Sequence, residues 1–218
     1  MNLALDRAEI LRQGGFLRGG RTDQLLPPGM PGFVPRDIYP LGTPALAGAR
    51  RLAAGHLRGG RAVLYVGDEP TALRRGETIR FNLARIGLAV EIHSFPRPIM
   101  AARAARRGEP FDFVLTGWHA HYADPAEFLV SLLDGAVMPR DNLNLSYFQE
   151  RTGEIEAANR LGAPERYRTL GTLEVDIMRR DAPVAPLFHP FSYWLVSERV
   201  RCFAESPLGV DYGSFCLR

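Results

Sequence analysis

Lysine is missing altogether from the 218 residues: all 27 basic side chains are arginine. A coding bias of the source genome accounts for this without invoking a ligand. The arginines are spread along the chain, with short clusters at Arg50-Arg51, Arg74-Arg75, Arg106-Arg107 and Arg179-Arg180, and against 24 acids they leave a formal charge of only +3. Nucleic-acid binding calls for a contiguous basic face, so no nucleic-acid partner is expected. Cysteine is nearly absent too. Cys202 and Cys216 are the only two, too few for a four-ligand zinc site. They either close one disulfide loop of about 14 residues, worth on the order of 3 kcal/mol by chain entropy and requiring an oxidising compartment, or remain two buried thiols. No run of about 18 apolar residues occurs, so no membrane span is expected. The first residues, Met1 to Arg7, carry neither a basic n-region nor a long apolar h-region, and no signal peptide is expected in this chain.

What is present describes a folded α/β protein. Hydrophobic residues make up 46% of the chain, and its 22 glycines and 17 prolines stay below the ~25–30% that marks low complexity. Residues 2–12 put Leu3, Ala4, Ile10 and Leu11 near one helical face, with Asp6, Arg7, Glu9 and Arg12 mostly outside it, and Gly14-Gly15 stops the helix. Its abrupt start implies a chain that begins inside a larger protein. Residues 16–43 are rich in proline and glycine and read as an ordered, irregular loop. A short helix opens at Thr43-Pro44. Then come a strand at 61–66, a helix at 71–86 ended by Gly87, a strand at 88–95, a helix at 98–107 ended by Gly108, and a strand at 112–116. This order predicts a mostly parallel sheet with right-handed crossovers. Helices follow at 125–133, 152–161 (Thr152 as N-cap) and 164–180, a polar loop at 138–147, and strands at 184–190 and 194–196. The tail from 203 has weak periodicity, with turn signals at Pro207 and Gly209.

The chain is organised around residues 111–128, FDFVLTGWHAHYADPAEF. A buried strand breaks at Thr116-Gly117 and presents Trp118, His119, His121 and Tyr122. Asp124-Pro125 then supplies an N-cap and a first-turn proline for the next helix. Ligands of open α/β sheets sit beyond the carboxyl ends of the strands. A lone aromatic there reads as core; four such groups at one strand end read as a site.

These parts, in this order, resemble family 5 extracellular solute-binding proteins, the oligopeptide, dipeptide and nickel receptors of bacterial ABC importers. Leu3-Ala4-Leu5-Asp6-Arg7 is similar to the family's A-I-D-R helix. Pro27-Pro28-Gly29-Met30-Pro31-Gly32 and the segment 81–92, FNLARIGLAVEI, continue the likeness. Gly108, Phe111-Asp112 and Gly117-Trp118 through Asp124-Pro125 resemble its G-x-F-D … G-W-x-x-D-Y-x-D-P block. Residues 182–187, APVAPL, and Leu195-Val196-Ser197 resemble its closing segment. The resemblance implies a periplasmic-binding-protein type II-like lobe, a central mostly parallel sheet flanked by helices. It places residues 1–200 as the second, C-terminal lobe and residues 201–218 as a segment returning to a missing N-terminal lobe. It also implies a non-catalytic receptor with no cofactor, an ABC permease as partner, and a periplasmic or extracytoplasmic location, membrane-associated in the full-length protein.

By the same resemblance, Trp118 falls on the tryptophan that lines the solute pocket, and Phe95, ending the second strand, falls on another pocket aromatic or on core. Tyr122 belongs with them. His121 stands where peptide-binding members carry an aspartate for the ligand's α-ammonium. That exchange removes a charge partner worth ~1.5–3 kcal/mol and points away from free peptide ends, towards a neutral or anionic solute or a chelated metal. His189 is a possible pocket residue or a plain hydrogen-bonded histidine. Arg103, Arg106 and Arg107 read as a solvated face. His119 and His121, with Asp124 near and His93 on the neighbouring strand, have a spacing that a transition metal accepts. A metal-dependent hydrolase using His119 and His121 is therefore the alternative. It is set aside because Asp124 is explained as a cap and no nucleophile elbow, H-E-x-x-H or phosphate loop is present.

Overall fold

The computed structural model describes residues 1–15, 19–138, 142–206 and 209–217; the turn expected at Pro207 lies outside them. The central strand β2 (Arg61–Gly67) is buried over most of its length, as its apolar run requires. It pairs in parallel with β3 (Ala89–Phe95), Arg61 facing Ala89 and Gly67 facing Phe95. On its other side lies β4 (Phe113–Val114), giving the order β3-β2-β4. The expected strand 112–116 is thus only two residues by ladder. Hydrogen bonds from Asp112 N–H to Val63 and from Leu115 N–H to Tyr65, 2.9 and 2.8 Å, extend its path.

Between β2 and β3 runs α3 (Pro70–Ala84), with a proline in its first turn. It sits close to the sheet because Gly76 carries no Cβ, which would meet Val66 at 3.1 Å. Its buried Ile79 and Leu83 join Leu64, Val66 and Val90 in one core. The short helices α1 (Arg7–Arg12) and α2 (Leu46–Ala53) add Ile10 and Ala49 to it. Between β3 and β4 runs α4 (Arg97–Ala104), which buries Met100 and Ala104.

A second core is built from helices alone. α5 (Ala126–Leu133), α6 (Thr152–Asn159) and α7 (Glu165–Arg180) bury Leu129, Leu133, Ile155, Leu170, Ile177 and Met178 together. The loop before β2 is threaded against α7 so closely that a Cβ on Gly171 would lie 1.7 Å from the Gly32 carbonyl. Thr152 does not cap α6; its hydroxyl accepts from Gly135 N–H at 2.8 Å.

Several expectations need correction. The first helix begins at Arg7 instead of residue 2, because Asp6 caps it by accepting from Glu9 N–H at 2.9 Å. Arg7 is not on the solvent side: it is 0% exposed. The loop 16–43 contains β1 (Gly20–Arg21), antiparallel to β5 (Phe188–His189). Only those two residues of the expected strand 184–190 form a ladder. Pro186 and Pro190 lack donors, and the Pro186 carbonyl is taken by Arg7. Gly19, at φ +124°, lets the chain pass His189, whose carbonyl a Cβ would meet at 2.1 Å. Residues 194–196 form no strand, and Leu195 is fully exposed. The tail carries two unexpected antiparallel pairs: β6 (Val200–Arg201) with β9 (Cys216–Leu217), and β7 (Glu205–Ser206) with β8 (Gly209–Val210). Of the two alternatives for the cysteines, the disulfide is realised, Cys202 to Cys216, closing a separation of 14 residues beside the β6–β9 pair. Among the described residues no helix is long and apolar enough to cross a membrane.

Candidate binding site at the carboxyl end of the sheet

Parallel strands end on one edge, and here β2, β3 and the path through β4 finish at Gly67, Phe95 and Leu115. Three residues past Leu115 the chain reaches Trp118. It is half-buried, packed against the helical core that holds Phe128 and Leu129. Its indole N–H is buried and makes no hydrogen bond among the described residues, although buried indole N–H groups usually find a partner. The His121 ring lies 6.0 Å from the indole, nearly perpendicular at 79°. Trp118 and His121 therefore stand together, as one strand end carrying both requires.

Behind His121 is a residue that the sequence did not single out. Glu127, in the first turn of α5 and 7% exposed, holds Oε2 at 3.1 Å from His121 Nδ1 and accepts from the His121 backbone N–H at 3.2 Å. Asp124-x-x-Glu127 has the form of a capping box, in which the glutamate reaches back to the cap residue's own N–H. Here neither half of the box forms. Pro125 stands at the cap position of α5, and Asp124 accepts from the nearer Ala126 N–H at 2.9 Å, while the glutamate bonds to His121 instead. The other Asp124 oxygen is paired with Arg166 from α7. Tyr122 is exposed; desolvation first, and then the charge of Glu127, pushes its phenol above the usual tyrosine range.

Not every expected residue joins this group. His119 is exposed and makes no hydrogen bond among the described residues. His93 is not on a strand neighbouring β4, because β2 lies between them, and it pairs with Glu91 at 2.7 Å. Among the described residues no three His, Cys, Asp or Glu side chains come together to hold a metal. Asp124 is committed to its helix and to Arg166, so the hydrolase alternative finds no support.

Phe95 packs at the same sheet edge into a separate cluster. Its ring is 4.9 Å from Tyr65, edge to face, with the Arg103 guanidinium 4.6 Å from its centre. Arg103 is therefore not a plain solvated cation. It binds Glu109 at 2.5 Å, and Tyr65 donates to the same carboxylate oxygen at 2.9 Å. Those two hydrogen bonds, Arg103 first, pull the Glu109 carboxyl below its ordinary range. His189 lies on β5 with Nε2 3.1 Å from the Leu25 carbonyl, and burial lowers its pKa, which keeps the ring a neutral donor there. Among the described residues no hydrogen bond or ring contact joins His189 to Trp118 or His121; it latches β5 to the loop.

Comparison with known proteins agrees with this architecture. The sequence model described as bacterial extracellular solute-binding proteins, family 5 Middle, matches residues 1–139. The peptide transport periplasmic protein SapA of Haemophilus influenzae is 23% identical over 145 residues, which is 64% of this chain and 25% of that protein. Among solved structures, clavulanic acid biosynthesis oligopeptide binding protein 2 superposes with a TM-score of 0.89 at 22% identity, covering 99% of this chain and 42% of its own. A dipeptide binding protein from Pseudoalteromonas sp. SM9913, solved in complex with Met-Leu, gives 0.78 at 22% identity, covering 100% and 44%. The chain thus spans less than half the length of each of these three relatives. It has the lobe fold of the type II periplasmic binding proteins, and it belongs to the family 5 bacterial extracellular solute-binding proteins.

Proposed function

We propose that residues 1–200 form the second lobe of a solute receptor for an ABC importer, which captures a small, peptide-class solute without chemistry of its own. The observation that carries this reading is the indole–imidazole pair, 6.0 Å apart, at the carboxyl edge of the parallel sheet, where α/β folds bind ligands. Trp118, His121 and Tyr122 line the solute side, with Phe95 further along the same edge. The partners are an N-terminal lobe that supplies the opposite wall and a permease that receives the solute. The returning segment, residues 201–218, leads to that lobe. Phe191, Tyr193, Trp194, Leu195 and Val196 are all exposed, and an apolar strip of this size marks an interaction surface. The location is extracytoplasmic, anchored at the membrane through the full-length protein. The Cys202–Cys216 disulfide suits that oxidising compartment.

One lobe keeps only half the contacts, and closure adds affinity by desolvating and preorganising the ligand. Calorimetry of this chain with short peptides is expected to give affinities weaker than micromolar, lost on Trp118→Ala and tightened when the N-terminal region is restored. Micromolar or tighter binding by the chain alone contradicts the half-clamshell reading.

A further inference from the structure

The sheet edge carries the receptor reading, and the last stretch of the chain stands apart from it. Neither core takes in a described residue beyond Leu187. Among the described residues from Pro190 to Leu217, none is buried. A stretch of fewer than about 40 residues with so little burial needs a disulfide, a metal or a partner to hold one shape. The tail has the first of these. Cys202 is bonded to Cys216 beside the β6–β9 pair, whose ladder is only two residues long. Cys202 also sits at φ +58°, in the left-handed region that costs an L residue energy, so its turn needs a fastening.

The other ties are local to the tail. The Trp194 ring meets Tyr212 at 6.2 Å, Tyr212 meets Phe215 at 5.6 Å, and Phe215 meets Phe203 at 5.7 Å. The Ser214 hydroxyl donates to the Cys202 carbonyl at 3.0 Å. Trp194, Phe203 and Tyr212 are exposed, so this aromatic row gains little from burial, and the covalent bond fixes its two ends together. Cys202 is exposed as well, which opens the bond to a reductant.

We infer that the Cys202–Cys216 bond is a redox switch for this segment alone: oxidised, it holds the row of Trp194, Tyr212, Phe215 and Phe203 in one arrangement, and a dithiol opens the segment while both cores stay folded. The chemistry is thiol–disulfide exchange. A thiolate of the dithiol forms a mixed disulfide with one cysteine and releases the other; its second thiol then displaces the first cysteine. Two electrons and two protons pass to Cys202 and Cys216, and the reductant leaves as a disulfide. Closing a loop of this size biases the balance of closed over open forms roughly a hundredfold. Under the receptor reading, the bond decides whether the N-terminal lobe meets a preformed segment or an open one.

The test is nuclear magnetic resonance on the air-oxidised, nitrogen-15-labelled chain before and after an excess of dithiothreitol. Its two tryptophans report separately on the tail and on the body. Reduction should move the Trp194 indole signal and the amides of 200–206 and 209–217 to positions typical of disordered chain. The Trp118 signal and the amides of β2 and β3 should stay in place, and reoxidation should restore the first spectrum. Cys202→Ser combined with Cys216→Ser should show the reduced spectrum without any reductant. A Trp194 signal that ignores reduction means that the aromatic row holds itself, and loss of the β2 and β3 signals with it means that the bond supports the whole lobe. Two free thiols in the air-oxidised chain, counted by alkylation and mass spectrometry, mean that the bond does not form. Each of these three results overturns the inference, and none of them bears on whether Trp118 meets solute. The reductant acts on the unmutated chain, so the outcome does not depend on the double variant folding.

Discussion

Replacing Arg7 by alanine is expected to destabilise the protein by roughly 4–6 kcal/mol, a large share of the ~5–15 kcal/mol that holds a domain together. Arg7 is fully buried, and its guanidinium donates to the carbonyls of Thr22 (3.0 Å), Pro186 (2.8 Å), Asn2 (3.0 Å) and Pro40 (3.2 Å) and to the Asn2 side-chain oxygen (2.7 Å). Four segments far apart in sequence are tied to one side chain. Truncation leaves those acceptors unpaired in the interior, at about 1–3 kcal/mol each when water cannot reach them, and opens a cavity as well. Burial lowers the pKa of the guanidinium, with Asp23 and then Tyr39 opposing that shift. Arg7→Lys should recover only part of the loss, because one ammonium cannot reproduce a planar fork of five donors. Urea titration reads both variants. A midpoint shift equivalent to less than about 1 kcal/mol for Arg7→Ala would contradict this account of what the buried guanidinium holds together.

Glu174 should give the protein an unusual pH dependence. It lies fully buried in α7, and its carboxyl accepts from Leu25 N–H at 2.7 Å and from the Gln24 amide at 3.2 Å. Desolvation outweighs these bonds, with Asp23 adding to it, and raises the pKa to about 7. The unfolded chain holds the same proton with a pKa of about 4.3. Between those values the folded state binds more protons, so the contribution of Glu174 to stability is lost as pH rises from about 4.5 to about 7. The loss is on the order of 3 kcal/mol by linkage. Other carboxylates titrate in the same range, so the clean reading is a difference. Glu174→Gln should gain stability relative to the unmutated chain by about 2–3 kcal/mol between pH 5 and pH 8. Parallel pH profiles for the two proteins would show that Glu174 ionises no differently when folded.

Arg7 and Glu174 also show where reading the residues stops short. The β2–α3–β3 unit was legible because its periods change cleanly from two to 3.6 and Gly87 ends the helix. Arg7 was not, since periodicity places a charge outside a helix, and only acceptors from distant segments make its burial tolerable. The ladders β1–β5, β6–β9 and β7–β8 are two residues long, too short to show alternation, and their pairing is fixed by contacts outside each strand. At the site, Trp118 and His121 stood out because several chemically distinct groups crowd one strand end. Glu127 did not, because three residues after Asp124 a glutamate reads as half of a cap. His189 and Phe95 sit near the right strand ends, yet a neighbouring carbonyl and an arginine–tyrosine cluster account for them.

The central claim is that Trp118 faces solute at the rim of an open lobe. The chain has two tryptophans, so Trp194→Phe leaves Trp118 as the sole indole emitter. Titrating that variant with trialanine while following its fluorescence is the most direct test. The account predicts a saturable change in emission at millimolar peptide; emission that stays constant throughout the titration would contradict it.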